Sequence, residues 1–128
     1  MSINEKTEKR LQEERNIWMA TVRRDGRPHL VPVWFIWFNN LIYIGMQPGS
    51  VKAKNLAQND KMALSLESGS DVVICEGTAV LMEQPYPDAL LKLFNSKYGW
   101  DMINDPVHNL FYEVTPAKWL IWTSGDAE

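Results

Sequence analysis

Hydrophobic and polar residues alternate in short runs along most of this chain, which is the pattern of β-strands. Seven strand-like segments are predicted, at 17–22, 28–38, 41–44, 61–67, 72–82, 109–115 and 117–123. Turn residues follow most of them, so neighbouring strands are expected to pair in antiparallel hairpins. The sequence therefore predicts a mainly β (α+β) fold, an antiparallel closed or split barrel of six to seven strands with about three helices.

Three segments break the alternation and predict helices. Residues 4–16 are polar with Leu11 as almost the only apolar anchor, so a mostly exposed leading helix is expected. A short helix should follow Gly49, and a longer one should cover 86–98 and stop at Gly99. The apolar stripe of this last helix comprises Ala89, Leu90, Leu93 and Phe94.

Glycine, proline and asparagine residues mark where the strands should turn or break. Asp25-Gly26 and Asn39-Asn40 predict tight turns, Gly77 a bulge, and Pro116 a break between the last two strands. The run 28–38 is apolar on both alternating faces, which predicts a strand buried on two sides. Pro32 within it cannot donate to a ladder, so a bulge or an edge is expected there, with backbone groups left for a flat heterocycle.

Composition narrows the function classes. A length of 128 residues and 45% hydrophobic content predict one domain over 1–128, with a leading helix at 1–15 and a loose tail at 124–128. A net charge of −3 disfavours a nucleic-acid partner, and no apolar run is long enough for a membrane partner. Cys75 is the single cysteine, which excludes an internal disulfide and favours the cytoplasm. Neither Cys75 nor the two histidines, His29 and His108, form a zinc-ligand pattern, so no metal site is predicted.

The segment 45–56 is the strongest candidate for binding chemistry. The window 26–59 contains no Asp or Glu, although the chain has 16 acidic residues. Ser50 is a good N-cap, and helix-start amides with Lys52 and Lys54 would suit a phosphate. The alternative is that both lysines are solvated charges on a surface helix. Residues two apart diverge by about 200° on a regular helix, so the lysines converge only if part of the segment stays extended.

No nucleophile–base arrangement and no catalytic side chain can be identified in the sequence. Cys75 lies in an apolar strand and is expected to pack rather than react. If the protein is an enzyme, its difficult chemistry should therefore belong to a bound cofactor. Among six tryptophans, Trp34 is the one most expected to contact a planar ligand, the alternative being core or dimer packing.

An ordered set of short motifs carries a family resemblance. In chain order these are Trp18-Met19-Ala20-Thr21-Val22, Asp25-Gly26-Arg27-Pro28-His29, Val31-Pro32-Val33-Trp34-Phe35, Ile42-Tyr43-Ile44, Ser50-x-Lys52-Ala53-Lys54-Asn55-Leu56, Glu76-Gly77-Thr78-Ala79 and Val114-Thr115-Pro116. Over about residues 15–123 the chain resembles the pyridoxamine 5′-phosphate oxidase-related, FMN-binding split-barrel superfamily. Within it, the chain is most similar to the short flavin/deazaflavin oxidoreductases.

This resemblance implies a homodimer with cofactors in grooves between the subunits. The family's phosphate-binding segment falls on Ser50, Val51, Lys52, Lys54 and Asn55, with the strand-to-helix transition somewhere inside it. The flavin ring would lie against Val33 and Trp34, and Met46 and Trp119 complete the implied cofactor-binding set. Lys54 occupies a position where Arg is commoner in the family, which keeps the positive charge but loses the bidentate hydrogen bonding of Arg to phosphate.

The function implied is that of a cytoplasmic FMN-binding oxidoreductase acting on a small-molecule substrate. Alternatives on the same fold are an F420-dependent reductase and a non-catalytic flavin or haem carrier or sensor. The longer pyridoxamine phosphate oxidases carry further substrate-phosphate arginines near the C-terminus. Here all five arginines lie at or before Arg27, so oxidation of vitamin B6 phosphates is not expected.

Overall fold

The computed structural model describes residues 3–124, which form three helices and one seven-stranded antiparallel sheet. The helices are α1 (Glu5–Glu13), α2 (Val51–Gln58) and α3 (Asp88–Tyr98). The strands are β1 (Ile17–Val22), β2 (Pro28–Val33), β3 (Phe35–Phe38), β4 (Leu41–Met46), β5 (Lys61–Ser65), β6 (Asp71–Leu81) and β7 (Leu110–Thr123). The predicted tail at 124–128 lies outside the described residues except for Ser124.

The order of the strands explains the shape of the sheet. It is β2-β1-β5-β6-β7-β4-β3, so β2 and β3 are the two edges although they are consecutive in the chain. Trp34 alone separates them. Because one residue spans the gap between the two edges, the sheet must curl back on itself into a half-barrel. This confirms the prediction of a mainly β, antiparallel split barrel with three helices.

Two apolar clusters hold the fold together. The larger fills the curled sheet and includes Phe35, Ile44 and Leu64, each at most 1% exposed. Leu11 of α1 is also fully buried in it, as expected of the helix's single anchor. The smaller cluster lies under α3, where Leu90 and Phe94 pack on Phe111. Each such side chain contributes about 1.5–3 kcal/mol of transfer free energy.

The predicted tight turns are present. Gly26 has φ of +90° in the β1–β2 turn, a conformation that glycine adopts without steric penalty. Asn39 and Asn40 have φ of 57° and 60°, the left-handed pair that a two-residue hairpin turn between β3 and β4 requires.

The prediction of one strand over 28–38, buried on both faces, is wrong. The segment divides into β2 and β3, and in β2 only Val33 is buried, while Leu30 is 60% exposed. The reason is position: β2 pairs with β1 alone and lies at the edge of the sheet. The edge expected at Pro32 is thereby confirmed, since Pro32 stands opposite Trp18 in the outermost ladder.

The predicted break at Pro116 is also wrong, because β7 runs unbroken through it. Pro116 pairs with Gly77 at a register shift in the β6–β7 ladder, where a missing N–H is tolerated. The bulge expected at Gly77 is confirmed, and a Cβ there would stand 2.6 Å from the Thr115 carbonyl oxygen. Of the apolar stripe predicted for α3, Leu90 and Phe94 are buried as expected, whereas Ala89 and Leu93 are exposed.

Candidate functional site

Helix α2 begins at Val51, directly after its N-cap. The Ser50 side chain accepts a hydrogen bond from the Ala53 N–H at 3.3 Å, and Gly49 before it has φ of +81°. No extended stretch separates Ser50 from Asn55, so the two lysines of the segment do not converge. Lys52 is partly buried, and this burial lowers the pKa of its ammonium group, whereas Lys54 is exposed.

A cleft of about 360 Å³ lies where the β2–β3 junction, the end of β4 and the start of α2 meet the loop after α3. Its lining residues are Pro32, Val33, Trp34, Gly45, Met46, Lys52, Trp100, Asp105 and His108. Four residues of the predicted cofactor-binding set are brought together here, namely Val33, Trp34, Met46 and Lys52. The cleft volume falls within the range of small-molecule and cofactor sites.

The other members of the predicted set do not line this cleft. Asn55 is buried and donates to the Thr21 hydroxyl at 3.0 Å, which ties α2 to β1. Trp119 lies in the interior, edge-on to Trp37 with ring centroids 5.9 Å apart. Ser50 caps α2, and Val51 and Lys54 face outward. Among the predicted phosphate-binding residues 50–55, Lys52 is therefore the one that lines the cleft.

Trp34 is held as an aromatic wall of the cleft. Its ring stacks on Tyr98 with centroids 4.4 Å apart and planes 9° from parallel, and Trp100 stands edge-on to it with ring centroids 6.3 Å apart. The Arg15 guanidinium lies 5.0 Å from the Tyr98 centroid and 5.9 Å from that of Trp34. Trp34 nevertheless stays 43% exposed. A planar ligand in the cleft would find a rigid aromatic surface.

The end of α3 fixes the backbone next to Trp34. The Tyr98 hydroxyl oxygen accepts from the Phe35 N–H at 2.9 Å, and the Lys97 ammonium donates to the Phe35 carbonyl at 3.0 Å. Burial raises the pKa of Tyr98 to about 12 and lowers that of Lys97 to about 8. The junction between the two edge strands is thus held from α3.

The lysine side of the cleft is electropositive. Burial lowers the pKa of His29, and the positive charges of Arg23 and Lys52 lower it further. Nδ1 of His29 is buried and has no hydrogen-bond partner within residues 3–124. The acid-free window 26–59 includes His29 and Lys52, whereas nothing in the sequence brought Arg23, which precedes that window, to this region.

Sequence reasoning also missed the loop after α3, which forms the remaining wall. Asp105 Oδ1 accepts the N–H groups of Val107 and His108, both at 2.8 Å. Its Oδ2 accepts the Trp100 indole N–H at 2.8 Å and lies 3.3 Å from Nδ1 of His108. These hydrogen bonds, those from the His108 and Val107 backbone foremost, lower the pKa of Asp105 to about 2. An oriented carboxylate–imidazole pair thus borders the cleft.

Two classes of feature are not found within residues 3–124. No group of three or more His, Cys, Asp or Glu side chains there is arranged to hold a metal ion. None of the helices formed by these residues has the length and apolar character needed to span a membrane.

The fold is shared with several solved structures. An F420 reductase superimposes with a TM-score of 0.74 at 22% identity, over 92% of this chain and 98% of the other. HutZ, the heme storage protein from Vibrio cholerae, gives 0.77 at 15% identity, over 94% and 95%. General Stress Protein 26 from Bacillus anthracis str. Sterne gives 0.69 at 23% identity, over 92% and 97%. At these identities the likeness concerns the fold.

Sequence comparison supplies the family. A search of curated proteins finds no match. The family model described as pyridoxamine 5′-phosphate oxidase matches residues 3–123, which is nearly the whole length of the chain. The chain therefore belongs to the pyridoxamine 5′-phosphate oxidase family.

Proposed function

We propose that this protein is an FMN-binding oxidoreductase, in which hydride or electrons pass between a flavin and a small-molecule substrate bound in the same cleft. The observation that carries the proposal is the cleft itself. It sets an exposed, stacked tryptophan beside a partly buried lysine in a fold whose family takes its name from an oxidase. The single thiol of Cys75 favours the reducing cytoplasm as the compartment.

The residues present fit a flavin nucleotide. Trp34, Val33 and Met46 offer apolar surface for a tricyclic ring. Lys52, with the positive charge of Arg23 nearby, suits a phosphate, and the unpartnered Nδ1 of His29 is a polar atom that a ligand or water would satisfy. When bound, the flavin would supply the hydride chemistry. The chain's own residues bind it, orient it and shield one face from water.

A second copy of the chain is proposed as partner, because the outer face of the β1–β2 edge is apolar and uncovered in one protomer. Leu30, Trp18 and Val22 are 60%, 36% and 37% exposed and stand on the same face of paired strands. Such a patch marks an interface. Light scattering should give twice the chain mass of 14.8 kDa, and Leu30→Arg should shift the equilibrium toward monomer. A wild-type monomer at micromolar concentration would refute the dimer.

The flavin proposal is tested by comparing two lysine variants. Lys52→Ala should weaken FMN binding by about 10- to 100-fold, as expected for a lost charge-assisted hydrogen bond of about 1.5–3 kcal/mol. Lys54→Ala is the matched control, because Lys54 is exposed and does not line the cleft. Both affinities are measured by quenching of flavin fluorescence. Wild-type protein that does not bind FMN would refute the proposal. Equal losses of FMN affinity in both variants would mean that the phosphate does not bind at Lys52.

An F420-dependent reductase is the second candidate, favoured by the structural likeness to an F420 reductase. The deazaflavin has a similar ring and a longer anionic tail, so the same cleft would accept it. Titrations of the same protein with FMN and with F420 separate the two, and tighter F420 binding would reverse the ranking. A carrier or sensor of flavin or haem, the third possibility, would bind its cofactor without accepting electrons from NAD(P)H.

A further inference from the structure

The cleft contains a pair of side chains that cofactor binding does not account for, Asp105 and His108. Both line the cleft together with Trp34 and Lys52. They come from the loop between α3 and β7, whereas the phosphate-side residues Arg23, His29 and Lys52 come from the β1–β2 turn, β2 and α2. The pair therefore faces the same space as the proposed flavin from a different part of the chain.

The Asp105 carboxylate is fixed in position and in charge. Two backbone N–H groups hold Oδ1, and the indole of Trp100 holds Oδ2, so the carboxylate has little freedom to rotate. Trp100 is itself anchored against Phe94 and Phe111, with ring centroids 5.2 and 5.5 Å away. A rigid carboxylate of this kind can orient an imidazole.

The imidazole of His108 is oriented by this carboxylate. Its Nδ1 lies 3.3 Å from Asp105 Oδ2, a separation typical of catalytic pairs before a ligand tightens them. An ionised carboxylate only accepts hydrogen bonds, so Nδ1 carries the hydrogen. Nε2 has no hydrogen-bond partner within residues 3–124. In neutral His108 that nitrogen accepts a proton, and in the imidazolium form it donates one.

We propose that Nε2 of His108 exchanges a proton with the substrate at this cleft, and that Asp105 is its positioning residue. This inference rests on the proposed flavin function and names the substrate class, a molecule with a polarised double bond such as a quinone or a conjugated carbonyl. In the reducing direction, the substrate receives hydride from the reduced cofactor at one atom and a proton from His108 Nε2 at the other. The substrate gains two electrons, the cofactor loses them, and His108, which is exposed, recovers its proton from water.

The first test measures the tautomer of His108 and needs neither substrate nor cofactor. In ¹⁵N-labelled protein with neutral histidines, His108 should carry its hydrogen on Nδ1, and His108→Gln assigns its signals against those of His29. Asp105→Asn keeps an oxygen for the backbone N–H groups, removes the acceptor of the Trp100 indole N–H and presents an amide N–H to the imidazole, which should move the hydrogen to Nε2. Asp101→Asn is the matched control, since Asp101 is exposed in the same loop and binds Asn104. Wild-type His108 with its hydrogen on Nε2 would overturn the assignment of Asp105.

The second test separates proton transfer from electron transfer in the FMN-loaded protein. After photoreduction, reoxidation is timed with menadione, a quinone that takes up hydride and a proton, and with ferricyanide, which takes up electrons alone. His108→Gln should slow the menadione reaction about 100-fold, the lower range for a positioned general acid, and leave the ferricyanide rate within twofold. Asp105→Asn should slow menadione at least tenfold, and Asp101→Asn should change neither rate.

The outcomes distinguish the two proposals. Wild-type protein that binds no FMN overturns the flavin function itself, whereas the tautomer measurement still reports on the Asp105–His108 pair. FMN binding with an unchanged menadione rate in His108→Gln overturns the proton-transfer role alone. Equal slowing with both acceptors overturns it as well, because that pattern means a disturbed flavin and not a lost proton donor.

Discussion

Lys97 is a partly buried cation whose ionisation should be visible in the stability of the protein. Its ammonium group donates to the carbonyl oxygens of Phe35 and Leu11, at 3.0 and 3.5 Å, and lies 3.8 Å from the centre of the Phe35 ring. Burial lowers its pKa to about 8, the charge of Arg15 lowers it further, and Glu14 opposes both. The perturbation that tests this environment is Lys97→Met, which keeps the length of the stem and removes the charge.

The sign and size of the effect follow from the pKa difference between the folded and unfolded states. Between pH 8 and 10.5 the unfolded chain binds the Lys97 proton more firmly than the folded chain does, so the free energy of unfolding rises with pH in that window. From pH 7 to pH 10 the wild type should gain about 1–2 kcal/mol relative to Lys97→Met, because Lys97 is only partly buried and solvent screening reduces the effect of the pKa difference. Below about pH 7 both states carry the charge, so the difference in the free energy of unfolding between the two proteins should not change with pH.

The assay is urea unfolding of both proteins at pH 7, 8, 9 and 10, at one protein concentration, followed by tryptophan fluorescence. Other groups titrate in this range, but they are common to both proteins and cancel in the difference. Parallel stability profiles, with a difference that changes by less than about 0.5 kcal/mol, would refute the shifted pKa. They would mean that Lys97 reaches solvent and does not hold Phe35 through a desolvated ammonium.

Two further predictions concern small side chains. Gly45→Ala should destabilise the protein by about 1–3 kcal/mol, read as a lower urea midpoint, because the new Cβ would lie 2.5 Å from Phe111 and 2.6 Å from Trp100. Gly69→Ala is its control, with nothing within 4 Å, and an equal loss there would contradict the packing argument. Cys75 is buried, and its pKa is raised to about 12. Iodoacetamide should therefore modify Cys75 in urea but not in buffer at pH 8. Rapid modification of the folded protein would contradict the burial of this thiol.

The sequence predicted the elements well, because their signals are local. A few neighbouring residues are enough to predict a strand from alternating apolar and polar positions, the turn at Asn39-Asn40, the Ser50 N-cap and the end of α3 at Gly99. The structure contains all of these features. The position of a strand in the sheet is not local. Pro32 indicates a bulge or an edge at one position, but the apolar run around it predicts a doubly buried strand, because the run does not show that all of β2 pairs on one side only.

The candidate site was predicted in part for the same reason. Trp34 and Lys52 could be chosen from residue type, but the fact that they share a cleft depends on the closure of the whole sheet. Asp105 and His108 lie in a loop without periodicity, where an Asp three residues before a His has no special meaning until the backbone folds around the carboxylate. The hydrogen bond from Asn55 to Thr21 likewise joins residues far apart in the sequence, so the sequence does not predict it.

The single-residue junction at Trp34 has a consequence for how this cleft can vary. Since β2 and β3 are the two edges of the sheet and one residue joins them, covalent geometry limits the distance from Val33 Cα to Phe35 Cα to at most about 7 Å. Lengthening any other loop of the barrel would leave that gap unchanged. Inserting one residue beside Trp34 would widen the slit and detach the tryptophan from Tyr98 in the same step. The width of the ligand site and the orientation of its aromatic wall therefore change together, and both depend on the chain length at Trp34.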